Sequence, residues 1–250
     1  MHIRKIKILI GIDDTDNLES RGTGYKARDL GISLMQNGLV RLISVTRHQL
    51  LFDNRIPYTS HNSSASLLCE LITDINEVFQ FSKNYLIKEA AEGSDAGLCI
   101  AEWEKVNAEI ILWGHKAKTE ILEKKTAHEL ANNNEIYLEG FTGEKIGVIG
   151  SLAAAGLRKE GCDGRLLWMQ NMREKTGIFK ISDYKELVGI DKISDREGNL
   201  IAGNERLNVS DWCRPVHKNN EITLIVEKEP ENHEYEWKCT SKEYIKSISQ

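Results

Sequence analysis

The sequence predicts a mixed α/β or α+β protein, and three observations support this class. Short alternating apolar runs indicate strands, longer segments with a helical period indicate helices, and the two types alternate along the chain. A chain of 250 residues buries a substantial core and normally forms one large or two small domains. We expect two domains, 1-134 and 135-250, because a run of three asparagines at 132–134 breaks a long helical pattern.

The elements follow in order along the chain. In the first expected domain, strands are predicted at 5–12, 41–47, 65–72 and 97–102, and helices near 24–37, 75–91 and 113–131. In the second, the sequence predicts a small-residue helix at 147–157, strands at 165–171, 177–181 and 221–227, and a connecting hairpin or loop from 191 to 208.

The first predicted strand ends at three carboxylates. Isoleucine occupies every second position from 6 to 12, and Asp13, Asp14 and Asp16 follow directly. Asp14 and Asp16 project to the same side of an extended backbone, whereas Asp13 projects to the other side unless the chain turns. Such crowding requires backbone amide donors, an Arg or Lys partner, or a hard cation. We expect magnesium, which also holds the phosphates of a nucleotide.

A threonine flanked by two glycines follows the acids, where the next helical pattern begins. Glycine lets the backbone bend and lets a phosphate approach the amides, so Gly22-Thr23-Gly24 is predicted to hold an anion while the acids hold its metal. An ordinary turn beside exposed carboxylates is the alternative. The spacing excludes a Walker A loop and an EF-hand.

Four segments resemble one known family. The run 10–16, Ile-Gly-Ile-Asp-Asp-Thr-Asp, followed by Gly-Thr-Gly-Tyr, resembles the opening of the archaeal tRNA agmatidine synthetases (TiaS), which modify the wobble cytidine of an isoleucine tRNA. Residues 56–62, Ile-Pro-Tyr-Thr-Ser-His-Asn, and 94–97, Ser-Asp-Ala-Gly, resemble two further motifs of that family. The glycine- and alanine-rich run 147–156 resembles a fourth, and the order along the chain is the family's.

The resemblance implies a domain organisation. It implies an N-terminal kinase-like, ATP-binding domain of the TiaS type and a second, ferredoxin-like α+β domain. The family's OB-fold and zinc ribbon, which help bind tRNA, are expected to be missing, since the five cysteines are scattered without a Cys-x-x-Cys pair. An OB-fold or zinc-ribbon partner protein is then a candidate source of those modules.

The resemblance also implies roles for individual residues. Asp13, Asp14 and Asp16 are expected to bind magnesium and to take part in catalysis with Thr23, which aligns with a threonine that becomes phosphorylated in the family. The residues expected to contact ATP or to line the cleft are Thr15, Gly22, Gly24, Thr59, His61 and Asn62. A polar hairpin connection is the alternative for the last three.

The function expected from the resemblance is ATP-dependent phosphoryl transfer coupled to ligation. Mg-ATP would activate a cytosine-like carbonyl for attack by an amine, with tRNA and agmatine as substrates. Because the net charge is −5, phosphate contacts would need basic residues concentrated on one face or on a partner. A paralogue with the same ATP chemistry on a small non-tRNA substrate and a non-catalytic nucleotide-binding subunit are the alternatives.

The sequence offers no segment of apolar residues long enough to span a bilayer. The N-terminus leads into a strand rather than a signal-peptide core. We therefore expect a cytoplasmic protein without a membrane partner.

Overall fold

The structure is a computed structural model that describes residues 6–56, 62–231 and 234–249. The chain divides into two compact units, Met1–Glu160 and Gly161–Gln250. Each unit combines a β-sheet with helices, so the predicted mixed α/β class is confirmed. No helix within the described ranges has the length and apolar character that crossing a membrane requires.

The first unit is built on an antiparallel sheet whose strands lie in the order β5-β4-β1-β3-β2. The strands are β1 (Lys7–Asp13), β2 (Val40–Gln49), β3 (Ser63–Leu71), β4 (Gly97–Glu102) and β5 (Tyr137–Gly140). The helices are α1 (Thr23–Gln36), α2 (Ile75–Glu89), α3 (Ala108–Thr119), α4 (Lys124–Asn133) and α5 (Val148–Glu160), and a 3-10 turn covers Trp103–Lys105. Strand β1 is therefore central and buried.

Helix α5 lies directly against β1 because glycine replaces a side chain at the contact. A Cβ on Gly11 would lie 1.9 Å from the carbonyl oxygen of Ser151. Gly156 makes a second close approach, since its Cβ would lie 2.1 Å from the carbonyl oxygen of Ile110 in α3. The small-residue helix predicted at 147–157 is thus confirmed, and its small residues allow backbones to approach on two sides.

Helix α1 covers the other face of the sheet. Gly11 pairs with Ser66 and faces α5, so the next residue of β3, Leu67, faces the opposite side. There the Cβ of a residue at Gly31 of α1 would lie 2.9 Å from the Leu67 side chain. The acid-bearing end of β1 is consequently held between helices on both faces.

The second unit has a mixed sheet in the order β6-β10-β11-β12-β9-β7, with β8 paired to β11. Its elements are β6 (Arg165–Met169), β7 (Gly177–Lys180), α6 (Ile181–Val188), β8 (Lys192–Ser194), β9 (Arg206–Val209), β10 (Val216–Lys218), β11 (Glu221–Lys228), β12 (Trp237–Cys239) and α7 (Lys242–Ile248). Asn219 and Asn220 have φ of 51° and 63° in the two-residue turn between β10 and β11, as a type I′ hairpin requires. The ferredoxin-like character of this unit stays a prediction.

Three expectations differ from the structure. The single helix expected at 113–131 is two helices, α3 and α4, separated at residues 120–123. The expected connection at 191–208 contains β8 and most of β9. The compact units divide after Glu160 rather than at the expected boundary after 134, because β5 pairs with β4 and α5 packs on β1.

We predict that Gly11→Ala lowers the free energy of unfolding by about 3 kcal/mol, because the methyl group would overlap a helix backbone that cannot yield. Urea denaturation measures this. The matched control is Gly22→Ala, where φ is −61° and the nearest atom lies 3.9 Å from the added Cβ. That change should cost about 1 kcal/mol or less. Equal losses in the two variants would contradict the contact between β1 and α5.

Candidate active site

The C-terminal end of β1 opens into a cavity of about 450 Å³ within the first unit. The polar groups expected from the sequence that line it are Asp13, Asp14, Asp16, Thr23 and Asn62. They come from β1, the loop after it, the start of α1 and the residue before β3. The structure therefore brings together residues separated by up to 49 positions, from Asp13 to Asn62.

A sharp backbone turn gathers the acids into one cavity. Asp14 has φ of 50°, in the left-handed region that aspartate tolerates better than most residues. Strand alternation alone would direct Asp13 away from Asp14 and Asp16. The turn at Asp14 removes that alternation, so all three carboxylates face the same space.

The Asp13 carboxylate lies against the first turn of α5. A Cβ on Gly150 would come within 1.9 Å of Asp13 Oδ2, so only glycine leaves room for the acid. The N-terminal end of a helix carries partial positive charge and favours a nearby anion. Gly150 thus leaves the space that the Asp13 carboxylate occupies.

The carboxylates are crowded and poorly neutralised. Burial, followed by the negative charge of Asp14, raises the pKa of Asp13 well above its usual range. Burial, with the charges of Asp95 and Asp16, raises the pKa of Asp14 to about 6. Among the described residues, the ion pairs include neither Asp13 nor Asp14. Within the described part of the chain, these two acids therefore do not use pairing with Arg or Lys, one of the solutions considered from the sequence.

The donor set fits a hard divalent cation that also binds phosphate. Within the described ranges, no three His, Cys, Asp or Glu side chains converge closely enough to enclose a metal ion. Magnesium is commonly held by one or two carboxylates, with substrate phosphates and water completing its coordination. Asp13 and Asp14 supply such carboxylates, and a cation there would relieve the repulsion that raises their pKa values.

Thr23 lies at the centre of a hydrogen-bond network at the start of α1. Its hydroxyl donates to Asp16 Oδ1 at 2.6 Å and accepts from the Thr15 hydroxyl at 3.1 Å and the Thr15 amide at 3.3 Å. The Thr23 amide also donates to Asp16 Oδ1, at 2.9 Å. The same oxygen of Asp16 therefore caps the start of the helix and accepts the hydrogen bond of the Thr23 hydroxyl. It is thus placed to receive the hydroxyl proton.

The opposite wall of the cavity is apolar with a charged rim. The apolar lining residues are Leu50, Ile56, Ala117, Ile121, Leu122, Ile146 and Ile149. The basic residues of the rim are already engaged: Arg55 pairs with Asp53 at 2.7 Å, Lys125 pairs with Glu129 at 3.8 Å, and Lys124 donates to the carbonyl of Glu144. An apolar surface beside a polar end suits a nucleobase attached to phosphates.

The expected residues fall into three groups. Thr15 is fully buried, Gly22 is the N-cap of α1, and Gly24 belongs to the helix. Asn62 lines the cavity while its side-chain amide donates to the carbonyl of Leu51 at 2.8 Å. Thr59 and His61 lie outside the described residues. The binding roles of all these residues stay predictions.

The sequence missed two parts of the site. Asp95, quoted only as part of a turn, accepts a hydrogen bond from the Lys145 amide at 2.8 Å and acts electrostatically on Asp14. The segment 120–125 lines the cavity because it connects α3 to α4, whereas the sequence predicted continuous helix there. The Ser-Asp-Ala-Gly motif was a usable signal for Asp95, but no glycine or proline marks the break at 120–123.

The protein is of the mixed α/β class, and its first unit carries three carboxylates where a strand ends, of which Asp13 is buried. Known structures share this fold. No protein-family model matches the sequence. An uncharacterized protein of Methanocaldococcus jannaschii is 28% identical over 152 residues, which are 60% of this chain and 50% of that protein. The chain thus spans about half the length of the curated relative it matches.

Solved structures that resemble it include those of TiaS, an agmatidine synthetase that acts on an isoleucine tRNA. The complex of TiaS with this tRNA and ATP matches with a TM-score of 0.53 and 24% identity over 60% of this chain and 36% of the TiaS chain. The complex of TiaS with the tRNA, AMPCPP and agmatine matches with a TM-score of 0.53 and 17% identity over 97% of this chain and 55% of the TiaS chain. The resemblance predicted from the sequence is therefore confirmed at the level of the fold.

We predict that Asp14→Asn stabilises the ligand-free protein at pH 7, because it removes a charge that the folded state disfavours. A carboxyl whose folded pKa is raised destabilises the fold as pH rises from its usual value of 3.8 through about 6. The advantage of the variant should therefore shrink when urea denaturation is repeated at pH 5. Asn also tolerates the left-handed backbone, but that benefit does not depend on pH.

The matched control for this prediction is Asp211→Asn, since Asp211 is exposed on the second unit. It should change the free energy of unfolding by less than about 0.5 kcal/mol at either pH. A gain for Asp14→Asn that is the same at pH 5 and pH 7 would contradict the electrostatic account.

Proposed function

We propose that this chain is an ATP-dependent phosphoryl-transfer enzyme whose reaction takes place in the acidic cavity of the first unit. The observation that carries the proposal is the 2.6 Å hydrogen bond from the Thr23 hydroxyl to Asp16, in a cavity that Asp13 and Asp14 also line without an ion-pair partner among the described residues. A hydroxyl, a proton acceptor and two carboxylates suited to a metal are the parts that phosphoryl transfer requires.

Magnesium would be held by Asp13 and Asp14, where it would neutralise charge on the transferring phosphoryl group and orient the triphosphate. The protein's own contribution is positional. The space beside Gly150 determines the direction of the Asp13 carboxylate, and the backbone turn at Asp14 determines that of the Asp14 carboxylate. Both directions are set before any ligand binds. Such pre-organisation is the main way in which proteins assist phosphoryl transfer.

Thr23 is the proposed phosphoryl acceptor. Its hydroxyl proton passes to Asp16 Oδ1 as the Thr23 oxygen forms a bond to the γ-phosphorus of ATP, and the bond from that phosphorus to the bridging oxygen breaks to release ADP. The hydrogen bonds from Thr15 hold the Thr23 oxygen in place, and the hydroxyl of Thr15 can rotate away as the new bond forms. Asp16 is the group that accepts the proton because it already receives it in a hydrogen bond.

The finer proposal concerns the final acceptor. The TiaS structures that share the fold contain an isoleucine tRNA, ATP or AMPCPP, and agmatine. By analogy, phosphate would be transferred to a cytosine-like carbonyl oxygen, and an amine such as agmatine would displace it. The apolar lining residues, which include Leu50, Ile56 and Ile149, offer a nucleobase an apolar surface in the same cavity as the acids.

A specific observation favours a second candidate, the same ATP chemistry on a small substrate. The net charge is −5, and the basic residues at the rim of the cavity are held by Asp53, Glu129 and the carbonyl of Glu144. ATP turnover stimulated by a metabolite, without stimulation by RNA, would select this candidate. A mass increase on tRNA in the presence of agmatine would select the first, and ATP binding without turnover would select the non-catalytic alternative.

We predict that γ-labelled ATP and magnesium label Thr23, as mapped by peptide mass spectrometry. Thr23→Val keeps the side-chain volume at a site that is 5% exposed but removes the hydroxyl, so label at this position should disappear. Asp16→Asn keeps an acceptor for the Thr23 amide but loses basicity, and the rate of labelling should fall by about 10²-fold or more.

The matched control for labelling is Thr126→Val, an exposed threonine of α4 that does not line the cavity. It should label at the parental rate. Circular dichroism spectra of all variants establish that they are folded. Label that persists in both Thr23→Val and Asp16→Asn would remove Thr23 and Asp16 from the reaction.

We also predict that ATP binding depends on a divalent cation. Calorimetric titration with ATP should show at least about tenfold weaker binding in EDTA than in magnesium, because the crowded acids then repel the triphosphate. In the variant Asp13→Asn/Asp14→Asn the difference between the two conditions should largely vanish. ATP affinity that is independent of magnesium in the parent protein would contradict the assigned metal role.

A further inference from the structure

Two arginines of the first unit stack on one tyrosine beside the start of α1. The guanidinium carbon of Arg21 lies 4.4 Å from the centroid of the Tyr25 ring, and that of Arg28 lies 5.6 Å from it. Tyr25 and Arg28 lie three residues apart on α1, and Arg21 directly precedes its N-cap, Gly22. Tyr25 is 37% exposed, so this arginine–tyrosine cluster is open to ligands.

The two positive charges lack a matching anion. Among the described residues, the ion pairs do not include Arg21 or Arg28, although Lys26 in the same helix pairs with Glu89 at 3.7 Å. Burial, together with the charge of Arg21, lowers the pKa of Arg28 below its usual range. The nearest opposing charge on the helix, Asp29, also accepts a hydrogen bond from the Tyr85 hydroxyl at 2.7 Å. Within the described part of the chain, the positive charges of Arg21 and Arg28 therefore lie close together without an ion-pair partner.

We propose that Arg21, Tyr25 and Arg28 form a binding site for a phosphate ester, separate from the cavity that holds ATP; this inference rests on the proposed function. A carboxylate is satisfied by the fork of one guanidinium, whereas a phosphate ester presents enough oxygens for two. The tyrosine ring orients both forks. None of the three residues lines the acidic cavity.

The arginine–tyrosine cluster lies close to Thr23 along the chain. Arg21 precedes Thr23 by two residues, and Tyr25 follows it by two. A phosphate bound there would hold the acceptor substrate close to the phosphoryl-transfer site without competing for the triphosphate. The ester belongs either to the backbone of an RNA or to a small phosphorylated molecule, and in both cases its non-bridging oxygens accept hydrogen bonds from the arginines.

The test compares the parent protein with Arg21→Gln/Arg28→Gln and with the control Lys88→Gln/Lys175→Gln, which removes the same charge from exposed positions. The probes are a labelled single-stranded RNA, inorganic phosphate and Mg-ATP, with acetate at equal ionic strength as a control anion. Arg21→Lys/Arg28→Lys, which keeps the charge but loses the forks, should bind with intermediate affinity.

We expect the arginine variant to weaken binding of RNA or of inorganic phosphate by about tenfold or more, while the lysine control changes either by less than about threefold. If RNA is the source, the loss of one phosphate contact should also decrease the slope of log affinity against log salt concentration by about 0.7. Loss of phosphate binding without loss of RNA binding assigns the site to a small molecule.

Two results would overturn the proposal. The first is unchanged binding of both RNA and inorganic phosphate in the arginine variant. The second is a parallel loss of Mg-ATP binding, which would make the cluster part of the triphosphate site. These measurements do not require phosphoryl transfer, so a failure here is distinguishable from a failure to label Thr23.

Discussion

The glycine contacts between β1 and α5 are the constraint on which the rest of the first unit depends. Gly11 lets the helix backbone approach the strand, and Gly150 leaves space for the carboxylate of Asp13 at the start of the same helix. A side chain at either position would move α5 outward and separate the helix end from the acid. The same small residues that form the core therefore also determine where the charges lie.

The site illustrates a balance between stability and binding. Burial and mutual repulsion raise the pKa values of Asp13 and Asp14, so the folded chain loses stability at these positions when no cation is bound. Thr23 and Asp16 are, in contrast, joined by local hydrogen bonds, and the Thr15 amide donates to the Thr23 hydroxyl. Asp13 and Asp14 are thus arranged to attract a cation. Thr23 and Asp16 already have the geometry that the proposed proton transfer requires.

The sequence predicted the local features well and the long-range ones poorly. The acid cluster followed a strand of strict alternation, and the glycine-rich α5 had a distinctive composition, so both were identified. The break between α3 and α4 was missed because the residues from 120 to 123 favour helix or are neutral toward it. Asp95 and the apolar wall were not assigned to the site because their positions depend on tertiary packing, which no local pattern encodes.

The chain order of the site has a consequence for biosynthesis. The acid loop leaves the ribosome before the helix that packs against Asp13, which emerges only as the first unit nears its end at Glu160. Until α5 docks, the aspartates remain hydrated and flexible, and Gly11 faces an open surface of β1. Nascent chains should therefore gain affinity for nucleotide abruptly, in the same step that completes the core, rather than gradually as the polypeptide lengthens.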